Sequence, residues 1–389
     1  MATTAPDFAA EGLLDGLTGD ERAARAELLA QLHAAGVPMA ELRSAVAEER
    51  LALVPVDLVL GGRGRYTEDE VAQRAGVGVQ FLRALRQALG VSVPEPGARD
   101  YTDEDLEAAA REARFQEAGF TEEGLLDVTR VIGQSMARIA ESMRALTADA
   151  LSRAGDTEHD LAQRLSHAAR ELAPLNGAVL EYALNLHLRE QLRTDVVSSA
   201  EAGCARLLHA RLLPGAREVA VCFADLVGFT RLGSEVPAEE LGAVAGRLAA
   251  LAAEVTRPPL RLVKTIGDAA MFVGPDAAKL VAAALELVDA ADAEGETFPQ
   301  LRAGVAVGPA LSRGGDWYGH TVNLASRVTG VAPPGSVLAT AAVRDAAGGD
   351  AFAWSAAGPR RLKGISEPVE LFRASRREPD ASPPAAPVT

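Results

Sequence analysis

Two aspartates, Asp225 and Asp268, each stand where an apolar run ends, and they restrict the folds open to this chain more than any other feature. Asp225 closes Val219-Ala-Val-Cys-Phe-Ala224 and precedes Leu226-Val-Gly-Phe-Thr230. Asp268 ends Lys264-Thr-Ile-Gly-Asp268 and precedes Ala269-Ala-Met-Phe-Val273. A carboxylate at the end of a buried strand is costly unless positive charge meets it. Two of them, each beside a glycine-containing turn, call for a fold that brings two strand ends to one polar edge. They also point to a shared site for hard divalent cations, and so to a phosphate-handling enzyme.

The pattern around them is mixed α/β from residue 217 onward. It predicts a strand over 218–225, a helix over 237–256, a hairpin of 261–266 with 269–274 and a helix over 276–293. A strand over 301–308, a helix over 319–330, a strand over 336–340 and a terminal hairpin near 352–372 follow. A strand–helix–strand–strand–helix–strand order is ferredoxin-like, which makes this half an α+β domain. The first half differs. Leu13, Leu14, Leu17, then Leu28, Leu29 and Leu32 recur at helical spacing, and helical patterns continue to about residue 170. Tyr66-Thr-Glu-Asp-Glu-Val71 and Tyr101-Thr-Asp-Glu-Asp-Leu106 read as two helix starts with threonine N-caps and acidic first turns. Leu180, Leu184, Leu188 and Leu192 form a stripe on a further helical segment beginning at Pro174.

The resulting division is an all-α domain over 1–173, a mostly helical linker over 174–213, an α+β domain over 214–377 and a disordered tail over 378–389. Charge separates the halves. Residues 1–200 hold 33 Asp and Glu against 20 Lys and Arg, a net of −13 out of −15 for the whole chain. That acidity argues against nucleic acid as a partner. No uncharged apolar run of membrane-spanning length occurs, and the N-terminus lacks the basic and apolar regions of a signal peptide. Cys204 and Cys222 have no metal-site spacing, which fits a reduced, cytoplasmic setting.

Four motifs in order carry a resemblance: Phe223-Ala-Asp-Leu-Val-Gly-Phe-Thr230, Lys264-Thr-Ile-Gly-Asp268, Asp316-Trp-Tyr-Gly319 running into Val322-Asn-Leu-Ala-Ser-Arg327, and Leu362-Lys-Gly364. With them, residues 217–373 resemble a class III nucleotidyl cyclase catalytic domain. The resemblance implies Asp225, Leu226 and Asp268 at two Mg²⁺ or Mn²⁺ ions per active site. It implies Gly228, Phe229, Thr230 and Lys363 at the triphosphate, Asn323 at the ribose and Arg327 at the α-phosphate. It implies that Lys264 and Asp316 are the pair that reads the purine edge, in the family's adenine-selecting combination, so the implied substrate is ATP and the product cyclic AMP. It further implies a head-to-tail homodimer, in which the metal aspartates of one subunit face the purine and transition-state residues of the other. No Gly-Gly-Asp-Glu-Phe motif is present, which removes diguanylate cyclase as a look-alike.

Residues 66–90 also resemble a helix-turn-helix of the MerR type, so a non-catalytic or DNA-binding sensory regulator that uses the cyclase fold for dimerisation is the alternative reading. The fuller likeness is to the helical regulatory domain of actinobacterial class III adenylyl cyclases, including the pH-responsive mycobacterial type. It implies that the first half holds the catalytic dimer in an inhibited arrangement. Mild acid is the expected releasing signal, because His159, His167, His187 and His209 lie in or near the joining segment and histidine titrates in that range. An apolar regulatory ligand is a second possibility.

Overall fold

The computed structural model describes residues 6–151, 153, 155–201, 216–348 and 352–377. Cys204, His209, most of the end of the linker and the 378–389 tail lie outside the described residues. The chain divides into two compact units, Met1–Leu188 and Arg189–Thr389.

The first unit is helical. It contains α1 (Gly19–Ala34), α2 (Met39–Ala47), a single 3₁₀ turn at Leu51–Leu53 leading into α3 (Val54–Leu60), α4 (Glu68–Ala75) and α5 (Val79–Leu89). Then come α6 (Asp103–Glu117), α7 (Glu122–Leu151) and α8 (Glu158–Glu201), the last of which passes the boundary between units. One core gathers Leu28, Leu29, Leu32, Leu42 and Leu51 with Ala162 of α8. A second forms around Val71, Leu82, Tyr101 and Ala109. Thr67 and Thr102 both close capping boxes, with Glu70 and Asp105 at the third helical position. Each box satisfies two backbone donors that a helix start leaves unpaired. The two starts are tied together by a bridge between Tyr66 and Tyr101.

One sequence expectation meets a different arrangement here. The helix expected to begin at Pro174 is instead one continuous α8 with Pro174 inside it. A proline costs the helix one hydrogen bond, which turns on either side can offset by cooperativity. The α4–α5 pair has the helix-turn-helix form, with Gly76 left-handed at φ 77° between the two helices. Its basic side chains are engaged within the chain: Arg83 is paired with Glu68, Arg86 with Asp105 at 3.0 Å, and Arg74 lies over the Tyr66 ring.

The second unit is built on one sheet. Its elements are β1 (Ala216–Leu226), α9 (Phe229–Leu232), α10 (Ala238–Val255), β2 (Arg261–Ile266), β3 (Ala269–Gly274) and α11 (Ala277–Ala293). They continue with β4 (Leu301–Arg313), β5 (Asp316–Tyr318), α12 (His320–Val331), β6 (Ser336–Thr340), α13 (Ala341–Ala347), β7 (Phe352–Arg360) and β8 (Val369–Arg376). The strand order is β2-β3-β1-β4-β6-β8-β7, with β5 paired to β4. The first four strands give the antiparallel ferredoxin-like arrangement expected from the sequence. Alternation along β1 sorts the two faces. Ala220, Cys222, Ala224 and Leu226 pack with α10 and α11 residues such as Leu248, Leu280 and Leu287. Val219, Val221 and Phe223 pack on the other side with Trp317 and Ala325. Burial pushes the Cys222 thiol up to about 12, so it is an inert part of the core.

Strand β4 runs to Arg313, five residues past its expected end, because the chain turns tightly there and returns as β5. Gly314 and Gly315, at φ 61° and 77°, form the turn between the paired Arg313 and Asp316. Positive φ at both central residues is what a two-residue type I′ hairpin demands.

Candidate active site

The two aspartates do come to one edge of the sheet. Asp225 is the penultimate residue of β1, in register with Ala269 of β3 on one side and Arg302 of β4 on the other. Gly267, at φ 57°, takes the first position of the two-residue β2–β3 turn, the place a type II′ hairpin gives to glycine, and Asp268 takes the second. The Leu226 N–H donates to the Asp268 carbonyl at 2.9 Å, which ties the two aspartate backbones directly.

Their charges are only partly compensated. Nε and Nη2 of Arg302 donate to Oδ2 of Asp225 at 3.0 and 2.7 Å, and among the described residues Oδ1 has no hydrogen-bond partner. The Asp268 carboxyl is held above its ordinary range chiefly by burial, which outweighs the lowering by a hydrogen bond to its own backbone; the neighbouring Asp225 charge raises it further and Arg302 lowers it slightly. A pair of carboxylates whose negative charge exceeds the positive charge beside it suits hard cations. Among the described residues no third His, Cys, Asp or Glu joins them. Leu226 has its side chain in the core and could offer only its backbone carbonyl. Phosphate oxygens and water would therefore complete the coordination, as Mg²⁺ in nucleotide sites prefers. The donor set fits the ions.

Beyond Asp225, Val227 donates to the Gln300 carbonyl at 2.8 Å and Gly228 turns left-handed at φ 79°. This launches the single turn of α9, with Gly228 and Thr230 exposed and Phe229 half-buried. Lys264 sits at an irregularity in the β2–β3 pairing. Its ammonium reaches across to Oδ2 of Asp316, so the two expected purine-reading residues are already together. The other carboxylate oxygen, Oδ1, accepts from the Trp317 N–H at 2.8 Å. Asn323 and Arg327 lie on one face of α12, both exposed and without a side-chain partner among the described residues. Lys363 is exposed in the connection between β7 and β8.

Sequence reading missed Arg302. The residue stands second in an apolar strand, a position where a charge needs a reason, but its partner is visible only once β4 is in register with β1.

Two family profiles match this chain: "Adenylate cyclase regulatory domain" over residues 6–192, and "Adenylate and Guanylate cyclase catalytic domain" over residues 214–373. The class these define is a nucleotidyl cyclase with a regulatory domain ahead of it. Among curated relatives, the pH-sensitive adenylate cyclase of Mycobacterium tuberculosis (strain CDC 1551 / Oshkosh) is 43% identical over 96% of this chain and 93% of its own length. An adenylate cyclase of Streptomyces coelicolor is 35% identical over 75% of this chain and 74% of its own length. Among solved structures, the adenylyl cyclase CyaB from P. aeruginosa is 22% identical, covering 43% of this chain and 98% of that one with a TM-score of 0.37. The chain belongs to the class III adenylyl cyclases that carry an N-terminal regulatory domain, and its enzyme class is adenylate cyclase.

Proposed function

We propose that the chain converts ATP to 3′,5′-cyclic AMP and pyrophosphate in a head-to-tail homodimer with two composite sites, under control of its helical half. The observation that carries this reading is the distribution of site residues within one chain. Asp225 and Asp268 stand together beside the β2–β3 turn and Lys264 pairs with Asp316, whereas Asn323 and Arg327, expected to serve the same site as Lys264 and Asp316, face outward with no side-chain partner among the described residues. Ile266 and Tyr318, neighbours of these residues in sequence, are 57% and 54% exposed, more than apolar groups near a finished site would be. A second copy would cover them and bring the missing half.

Within such a site, Lys264 would donate to an adenine ring nitrogen and Asp316 would accept from the 6-amino group. Asn323 would orient the ribose. Arg327 would meet the negative charge that develops on the α-phosphate as the 3′-oxygen attacks. Backbone N–H groups of Gly228, Phe229 and Thr230, together with Lys363, would hold the triphosphate. Two Mg²⁺ or Mn²⁺ ions held at Asp225, Leu226 and Asp268 supply Lewis acidity toward the 3′-hydroxyl and the departing pyrophosphate. Replacing Lys264 and Asp316 together is expected to lower kcat/KM for ATP by about a hundredfold, less than the loss at a fully buried polar reader because both side chains are partly exposed. GTP turnover should fall less, so an unchanged ATP-to-GTP ratio would refute the adenine assignment.

The reading extends to regulation by protons, with a ligand of the helical half as the other possibility. His159 on α8 is 12% exposed at its side chain, with Nδ1 3.8 Å from Glu27 of α1 and Nε2 3.0 Å from Gln163. The Arg25–Glu158 ion pair lies beside it. Protonation there would turn the Glu27 contact into an ion pair. His167 lines a cavity of about 940 Å³ with Leu28, Leu32, Arg63 and Arg170, a place for a regulatory ligand. His187 is exposed on α8. No helix among the described residues is long and apolar enough to cross a membrane.

The test is cyclic AMP production from ATP and Mn²⁺ by the whole chain and by residues 211–389, compared across pH. Activity in both, with a pH profile that flattens in the shorter chain, is the expected outcome. Superimposable profiles would remove pH control. Absence of product from both would remove the catalytic reading.

A further inference from the structure

The roles given above to Asn323 and Arg327 depend on where α12 sits, and two buried threonines fix that position. The Thr321 hydroxyl, on a residue 2% exposed, donates to the Pro309 carbonyl of β4 at 2.8 Å. Thr329, 3% exposed, has its hydroxyl 3.1 Å from the Phe223 carbonyl of β1 and 2.9 Å from the Ala325 carbonyl one helical turn back. Each threonine meets a glycine on β4. A Cβ added to Gly304 would stand 2.2 Å from the Thr329 nitrogen and 2.6 Å from its hydroxyl oxygen. A Cβ on Gly308, which has φ 152°, would stand 2.8 Å from the Thr321 hydroxyl.

The spacings agree. From Thr321 to Thr329 the helix rises about 12 Å, and from Gly304 to Gly308 the strand spans about 13 Å. The helix therefore lies along the strand in the opposite direction, seated at two points. Phe223 and Gly304 are themselves partners across the β1–β4 pairing, so Thr329 rests on one rung of the sheet. That rung is two residues before Asp225, and Thr329 is two residues after Arg327.

We infer that Thr329 is a positioning residue for cyclisation: it holds α12 so that Arg327 meets the α-phosphate in the site shared with the second subunit. The inference rests on the composite-site reading. In a head-to-tail dimer, Arg327 and Asp225 of one chain serve different sites, so Thr329 should affect the site that receives its own α12.

Thr329→Val keeps the shape and removes the hydroxyl. In the whole chain it is expected to lower kcat by about 10- to 100-fold with little change in KM for ATP, the signature of a misplaced transition-state group. Thr329→Ser, which keeps the hydroxyl, should recover most of the loss. Mixed dimers give the sharper readout. Full-length Asp225→Ala and Arg327→Ala chains, each inactive alone, should regain activity on mixing through one intact site. Adding Thr329→Val to the Asp225→Ala chain, which supplies Arg327 to that site, should depress the regained activity. Adding it to the Arg327→Ala chain should not. Equal depression in both placements, or the opposite asymmetry, would overturn the positioning role in favour of a general packing one. Failure of the parent mixture to regain activity would instead sink the composite dimer. The inference rests on that dimer and would fall with it.

Discussion

Replacing Arg327 by alanine is expected to lower kcat by about a thousandfold or more, the range seen when an arginine that meets transition-state phosphoryl charge is lost. The thermal midpoint should stay where it is. Arg327 is exposed and has no hydrogen-bond or ion-pair partner among the described residues, so the folded subunit loses little when it is trimmed. Lysine should rescue poorly, since a point charge on a flexible stem cannot reproduce the planar fork of a guanidinium. KM for ATP should change little, because the interaction strengthens only as charge develops. Steady-state kinetics beside a melting curve separate the cases. A variant that loses both activity and midpoint would show that Arg327 has a structural task the subunit does not reveal. A variant with kcat within tenfold of the parent would remove it from the reaction.

The face that carries Arg327 was legible in the sequence because Asn323 and Arg327 are one helical turn apart, and α12 forms close to where the pattern placed it. The β2–β3 hairpin was legible for a similar reason: Gly-Asp between two apolar runs is a two-residue turn signal. The Gly-Gly before Asp316 carried the same signal, yet that hairpin went unread because the strand before it, Pro309 to Arg313, alternates too weakly to extend the β4 pattern. What the sequence could not show is anything that depends on register. Arg302 meets Asp225, and Thr329 sits over Gly304, only because β4 lies beside β1 in one particular alignment. The helical half was readable at its caps, where Thr67 and Thr102 act locally. Its ion pairs were not, since Glu68 finds Arg83 fifteen residues away across two helices.

Asp268→Asn should move activity and stability in opposite directions. The asparagine keeps the turn but gives up a charged oxygen donor, and the loss of several kcal/mol of charge stabilisation at about 1.4 kcal/mol per tenfold predicts a drop in kcat of at least a thousandfold. For stability the sign follows from the raised carboxyl. Folding buries Asp268 and sets it beside Asp225, so the folded state holds the Asp268 proton to higher pH than the unfolded chain does, whose ordinary value is 3.8. Stability from this group is therefore greatest in acid and is lost as pH rises through the folded-state value. At neutral pH the ionised carboxylate is a net cost, and the neutral asparagine removes it. The variant should melt higher than the parent near pH 7, and the gap should close as pH falls toward 4. Mn²⁺ should reverse the order, because an ion that binds only the folded parent raises its midpoint by mass action while the variant gains less. Calorimetry with and without Mn²⁺ across that range would decide it. A variant that melts lower than the metal-free parent at neutral pH would mean that Asp268 holds the fold together rather than standing ready for a cation. Such a result would take away the physical reason for placing the ions at this edge of the sheet.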